Sequence, residues 1–305
     1  SWSHVEFFKT VEGVAKEKGI LAKTLEEKGT AILNIDNQYI AKIANQLKCN
    51  VVSFGFSQEA DMKATSITFS YDGENRNFNG LSFKLDFKGT SIPGRLPLII
   101  AKHQIYAALA GAAVGTRLDM NLVEIGAALE KFSSPRGRMN ILKGVKGSFI
   151  IDDTYNSSPN SVEVALNTLG EIADSSEAFR RKIVALGDML EIGDETQEKH
   201  EELAKKFLSL KGDVFFAVGE RMKFAVEELK RCRFPEENIF HFEDPMEAGR
   251  KLQEIVGDGD LILVKGSQGM RMEKVVEEIM AEPQEAEKLL CRQSEDWTRI
   301  PWKKV

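Results

Sequence analysis

The sequence predicts an α/β protein of two domains, the first carrying an antiparallel β-meander and the second a mainly parallel sheet wrapped by helices. Three observations predict it. The β-rich runs "TAILNID" and "NVVSFGF" flank "NQYIAKIANQL", which has helical spacing, and together they read as a βαβ unit. Residues 62–98 alternate apolar and polar, with turn signals at Asp72-Gly73, Gly80 and Pro93-Gly94, and read as antiparallel strands. From residue 147 onward strands and helices alternate, which implies parallel pairing.

Each element follows in order. Thr10 is a candidate N-cap for a helix that begins after it. After the meander come two helices, at 102–115 and 121–131, and "SSPRGR" then reads as a linker or hinge. Strands are expected at 147–152, 182–187, 213–218 and 260–264, and helices at 159–173, 196–209, 220–230, 245–256 and 270–281. Ser158 suits an N-cap and Pro159 the first helical position. The tail "CRQSEDWTRIPWKKV" is expected to be a final strand or a docked end, since two tryptophans are costly to leave in water.

Composition narrows the function classes. A length of 305 residues favours two domains, and 42% apolar with 29% charged residues fits sizeable cores. Net charge is −6 and no basic block stands out, which argues against nucleic acid as a partner. Three dispersed cysteines with no CxxC pair suggest neither a disulfide framework nor a zinc site, and they suit a reducing cytosol. No apolar run reaches the length of a bilayer span and no signal-peptide pattern opens the chain. The chain begins "SWSHVEFF", without methionine, as though cut from something longer.

Three strand ends in the second half carry polar or glycine-rich turns. In open α/β sheets ligands sit outside the carboxyl ends of strands, so these turns are where a site is expected. The first is "IIDDTYNSSPNS", where Asp153 is placed to accept hydrogen bonds from a ribose; the bland alternative is that the acids only cap and solvate the turn. The second is "IVALGDMLEIGDE", with Gly187, Asp188 and Glu191 past an apolar run. The third is "LILVKGSQGMRMEKVV", where Lys265, Gly266, Ser267 and Gly269 precede a helix whose free N–H groups suit a carboxylate or phosphate. In the first half, one straight helix would hold His4 and Lys18 ~21 Å apart. They share a site only if the chain turns between them, and an exposed lysine on a lysine-rich helix is the default reading of Lys18.

Six segments in order, "SHVEFFKTVEGVAKEKG", "AILNIDN", "RGR", "DDTYNSSPNSVEVAL", "LGDMLEIGDETQEKH" and "VKGSQGMRMEKVVE", resemble the Mur ligases over nearly the whole chain. The DDxYN and GDMxELG-like strings resemble the MurF type, whose members add D-alanyl-D-alanine to UDP-N-acetylmuramoyl-tripeptide. The resemblance implies that residues 1–136 are the later part of a central ATP-binding α/β domain and 137–305 a Rossmann-like C-terminal domain. It implies ATP and Mg2+ as cofactors and a monomeric, cytoplasmic enzyme of peptidoglycan synthesis. It implies a reaction in which ATP phosphorylates a carboxylate and the incoming amine displaces the phosphate, the protein mostly positioning and neutralising charge. His4 falls on the family's magnesium-binding histidine and Lys18 on the lysine that is carbamylated to become a metal ligand, which burial favours. Asp36, Gln104, Arg138 and Asp153 fall on nucleotide-contacting positions. Tyr155 and Asn156 face the bond-forming centre, Asn156 with a catalytic role, and Asp188, Lys265 and Ser267 line the cleft for the dipeptide.

The sequence departs from the family's pattern in three places. No GxxxxGK[ST] loop occurs, so the amides that cradle the β- and γ-phosphates are lacking. The family's GxHNxxN string stands as "AKHQIYA", where Gln104 substitutes for the first asparagine and Ala107 cannot hydrogen-bond adenine. Gln268 stands where an arginine is usual. The expectation is therefore a chain of this type that is either N-terminally incomplete, without the UDP-sugar domain, or a diverged member with weakened ATP contacts, and that does not turn over alone. Rival readings are another amide ligase of the superfamily, of the MurE, cyanophycin synthetase or folylpolyglutamate synthase type, and a non-catalytic nucleotide- or peptide-binding module.

Overall fold

The computed structural model of the chain describes residues 10–72 and 77–299, and the chain divides into two compact units between Ser133 and Ser134. His4, the first sequence-predicted metal ligand, lies outside the described residues.

In the first unit, Thr10 caps helix α1 (Val11–Lys23), its hydroxyl accepting from Gly13 N–H at 3.0 Å. Strand β1 (Thr30–Asn34), helix α2 (Gln38–Ala44) and strand β2 (Asn50–Gly55) form the expected βαβ unit, with β1 and β2 parallel. Strand β3 (Met62–Asp72) joins β2 in parallel through Phe54 and Gly55 and pairs antiparallel with β4 (Asn77–Phe87), which pairs antiparallel with β5 (Thr90–Leu96). Two expected turns are strand interior instead. Gly80 lies inside β4, and Pro93-Gly94 lies inside β5 with Pro93 opposite Lys84. As β5 ends the sheet, its free side tolerates a residue without an N–H. Helices α3 (Ile105–Arg117) and α4 (Leu122–Leu129) follow, α4 opened by an Asn121–Glu124 capping box. Met62, Leu81, Leu85, Leu96, Ile99, Ile105 and Leu109 close a core between sheet and helices.

The second unit contains a sheet in the order β10-β9-β8-β11-β7-β6. Its strands are β6 (Asn140–Lys143), β7 (Phe149–Asp153), β8 (Arg181–Gly187), β9 (Val214–Val218), β10 (Ile239–Phe242) and β11 (Asp260–Lys265). All neighbours are parallel except β6 and β7. The helices between them are α5 (Pro159–Ser175), α6 (Thr196–Ser209), α7 (Lys223–Arg231), α8 (Pro245–Ile255) and α9 (Glu273–Ile279). Both faces are covered, so β8, β9 and β11 are near-continuous apolar runs without alternation, as parallel strands require. Short β6 and β10 were not expected; α10 (Ala286–Leu289) precedes the tail, whose residues 291–299 carry α11 (Glu295–Arg299) instead of a strand, while 300–305 lie outside the described residues. Trp297 docks against Arg271, 5.5 Å from ring centroid to guanidinium carbon.

What positions the site is the strand order. The last strand, β11, is inserted between β7 and β8. Turns that are far apart in sequence thus leave the sheet side by side, at its carboxyl edge.

Candidate functional site

Lys265 ends β11 and Asp153 ends β7, and the two are partners in register. The Lys265 ammonium, 2% exposed, donates to Asp153 Oδ2 at 2.6 Å and to the Asn156 carbonyl at 2.8 Å. A lysine this deeply buried is tolerated because its charge is paired and hydrogen-bonded. The second Asp153 oxygen accepts from Met139 N–H at 3.2 Å. Asn156 Oδ1 accepts from Ser157 N–H at 2.8 Å and from Gln268 N–H at 3.4 Å, joining the first predicted turn to the third.

The "RGR" segment closes on the same turn. Gly137 has φ 70, and a Cβ there would lie 3.0 Å from Tyr155 N and 2.9 Å from Cys291 Sγ. Only glycine permits that conformation and approach without strain, and Tyr155 N–H donates to the Gly137 carbonyl at 2.9 Å. One residue on, the Arg138 guanidinium lies 4.1 Å from the Tyr155 ring centroid. Arg138, Tyr155 and Asn156 are exposed, so this rim presents a cation, an aromatic face and an amide to solvent.

The second predicted turn is held from inside. Asp188, 2% exposed, accepts from Met222 N–H at 2.9 Å and Arg221 N–H at 3.2 Å. Burial raises its carboxyl pKa, and these backbone bonds oppose the rise. Gly219, at φ 108, leaves room for that carboxylate, which a Cβ would meet at 2.5 Å. Ser267, 3% exposed, accepts from Leu190 N–H at 3.0 Å and donates its own N–H to the Asp188 carbonyl at 3.1 Å. Arg221 donates to the Leu190 carbonyl at 2.8 Å, and His200 Nε2 accepts from Met189 N–H at 3.2 Å. Asp188 and Ser267, expected to line a substrate cleft, therefore spend their polar atoms on loop backbone and shape the edge of the site.

The structure thus brings together Arg138, Asp153, Tyr155, Asn156 and Lys265, with Asp188 and Ser267 bracing the adjoining loop. Asp36, Gln104 and Lys18 belong to the first unit. Asp36 accepts from Phe56 N–H at 2.6 Å, Ser57 N–H at 2.9 Å and the Tyr106 hydroxyl at 2.8 Å. Burial, then the bond to Asp36, pushes the Tyr106 phenol up. Gln104 ends the short turn Lys102–Gln104 that leads into α3. Lys18 is exposed on α1, so the burial that a carbamate there calls for is not found among the described residues. No group of three His, Cys, Asp or Glu among the described residues comes together as a metal site.

Sequence reasoning missed Arg221, His200, Glu273 and Arg292, which hold these turns. His200 carried a weak signal, a histidine four residues after Thr196, whose carbonyl lies 2.6 Å from its Nδ1. Arg292 carried none, since it reaches the first turn from 137 residues away.

Comparison with known proteins gives these residues a context. A family model described as Mur ligase middle domain matches residues 1–115, and one described as Mur ligase, glutamate ligase domain matches residues 137–268. The UDP-N-acetylmuramoyl-tripeptide--D-alanyl-D-alanine ligase of Bacillus subtilis (strain 168) is 26% identical over 281 residues, covering 92% of this chain and 58% of that protein. The ligase of the same name from Rickettsia prowazekii (strain Madrid E) is 30% identical over 293 residues, covering 91% and 59%. The chain therefore spans 58–59% of the length of these curated relatives. Among solved structures, MurF from Acinetobacter baumannii superposes with TM-score 0.73 at 24% identity, over 90% of this chain and 57% of that one. The MurF ligase from Thermotoga maritima in complex with ADP gives TM-score 0.72 at 22% identity, over 94% and 60%. At these identities the structural likeness speaks for the fold.

Proposed function

The chain belongs to the Mur ligase family, and from that membership we propose that it acts in an ATP-dependent ligase of the MurF type. The reaction joins D-alanyl-D-alanine to UDP-N-acetylmuramoyl-tripeptide through an acyl phosphate. The observation that carries this reading is the meeting of Asp153, Lys265, Asn156, Tyr155 and Arg138 at the carboxyl ends of β7 and β11. That edge of a parallel sheet is where ligands are bound.

Each residue then has a task in this reading. A carboxylate offers about four acceptor positions. Asp153 gives two of them to Lys265 and Met139, which leaves room for ribose hydroxyls. Arg138 supplies a cation beside the nucleotide, and the Tyr155 ring sets its direction. Asn156 presents its amide to the reacting carboxyl group. Asp188 and Ser267 fix the 187–195 loop, which bounds the space for the dipeptide. The chemistry these residues perform is positioning: the amine must face the carbonyl carbon of the activated carboxyl group, and correct orientation lowers the barrier substantially. For magnesium, no group of three His, Cys, Asp or Glu is gathered among the described residues and His4 lies outside them, and no step here runs through the ion.

The test uses the product of the whole gene that encodes this chain. Phosphate release from ATP should require both UDP-N-acetylmuramoyl-tripeptide and D-alanyl-D-alanine. Release that follows a single amino acid such as lysine or glutamate instead assigns the chain to another amide ligase. Nucleotide binding without release under any pairing favours a non-catalytic module.

A further inference from the structure

We propose that Arg292 is a positioning residue for the candidate site, a buried fork that fixes the 153–156 turn and ties it to the 265–271 turn. The inference deepens the ligase reading and rests on it for its functional part. Arg292 lies beyond residues 137–268, the stretch matched by the Mur ligase glutamate ligase domain.

The geometry is that of a clamp. Arg292, 8% exposed, donates through Nη2 to the Thr154 carbonyl at 2.5 Å and through Nη1 to the Tyr155 carbonyl at 3.0 Å. These consecutive carbonyls follow the last residue of β7 and have left the sheet ladder, so they need acceptor partners from elsewhere. The same guanidinium donates through Nε and Nη2 to Glu273 Oε2, at 3.1 and 2.6 Å. Glu273 is fully buried, and its other oxygen accepts from Arg271 Nε at 2.6 Å. Arg271 closes the short turn Gln268–Met270 in a left-handed conformation, φ 54, and donates to the Trp297 carbonyl at 3.2 Å. One chain of charge-assisted bonds thus runs from the tail through Arg271, Glu273 and Arg292 to the backbone of the first turn.

The consequence for the site is specific. The Tyr155 N–H is held by Gly137 and the Tyr155 carbonyl by Arg292, so both peptide groups of that residue are fixed. The backbone that carries its ring is thereby placed so that the ring lies beneath the Arg138 guanidinium. The Asn156 carbonyl, next along, is fixed by Lys265. Every carbonyl of the turn from Thr154 to Asn156 is bound to a buried cation, which is far more constraint than a solvated connection needs. A planar fork can serve two carbonyls and a carboxylate together; a lysine ammonium, a compact point charge, cannot reproduce that fork.

The test is Arg292→Lys, with Glu273→Gln as a second variant that keeps the fork and weakens its anchor. Amide hydrogen exchange is read on the 305-residue chain, and the apparent KM for ATP on the product of the whole gene. Arg292→Lys should raise exchange across 153–157 about tenfold while β8 and β9 keep wild-type protection. Glu273→Gln should raise the same segment by less. The apparent KM for ATP should rise about tenfold in Arg292→Lys with the cooperative melt retained. Exchange at 153–157 equal to wild type, or a rise spread evenly over the unit, overturns the inference. A wild-type gene product without ligase activity would refute the functional reading, while the exchange measurement still decides whether Arg292 fixes the turn.

Discussion

Asp153 and Lys265 are 112 positions apart in sequence, adjacent in register across two parallel strands, and joined by a 2.6 Å ion pair that is almost wholly buried. Removing one partner strands the other charge in the protein interior, which typically costs about 3–5 kcal/mol. Lys265→Met and Asp153→Asn should each lower the urea midpoint on that scale. The double variant should lose much less than the sum, because no lone charge remains. Losses that simply add would mean the pair contributes nothing as a pair. The pairing also argues against Asp153→Ala as a clean test of nucleotide binding, since that change frees a buried ammonium as well.

Arg138 makes a better probe of the nucleotide reading because its side chain is exposed. Arg138→Ala should leave the melting temperature within a degree or two. In the product of the whole gene it should raise the apparent KM for ATP about tenfold. An unchanged ATP dependence removes Arg138 from the nucleotide site.

Asp152, next to the site but fully buried, has its pKa pushed from 3.8 to about 6, chiefly by burial and against two bonds from Thr154. Its folded pKa lies above the unfolded one, so the native state binds the extra proton and this contribution to stability falls as pH rises from about 4 to 6. Asp152→Asn should therefore be more stable than wild type at pH 7.5, by roughly 1–3 kcal/mol, with the gap closing toward pH 4. Denaturant titrations at several pH values check this; a gap of constant size contradicts it.

His200 works in the opposite sense. Burial lowers its pKa below 6.5, and the neutral ring accepts from Met189 N–H. Below pH 6.5 the unfolded chain takes up a proton that the native state refuses, so this part of the stability is present above that value and lost as pH falls. His200→Gln should flatten that acid limb in the difference between variant and wild-type stability curves. Because Asp152 and His200 tilt the wild-type curve in opposite directions, only the variants separate them. An acid limb that persists unaltered in His200→Gln assigns it to other groups.

Much of this architecture was legible in the sequence, for physical reasons. The strand–helix rhythm from residue 147 is an apolar periodicity that a parallel sheet imposes, and the three polar turns stood out because each interrupts a buried run at its end. Thr10 and Pro159 announced helix starts by their own chemistry. What stayed hidden depends on strand order. Nothing in "LILVK" says that its neighbour is "FIIDD", so Lys265 read as a cleft residue and not as the partner of Asp153. Four-residue β6 and β10 are too short to carry a period. Gly80 and Pro93-Gly94 mimic turns, yet sit within paired strands whose ladder overrides local preference. Arg292 approaches from a distant tail, a contact that no local pattern encodes.

The insertion of β11 between β7 and β8 also governs how the molecule is made. β7 and β8 precede β11 in the chain, so until β11 joins them each lacks the neighbour that satisfies one of its edges in the folded sheet. Such edges invite pairing with foreign strands. The 153–156 and 265–271 turns become neighbours only once β11 is in place, and Arg292, later still in the chain, ties them together after that.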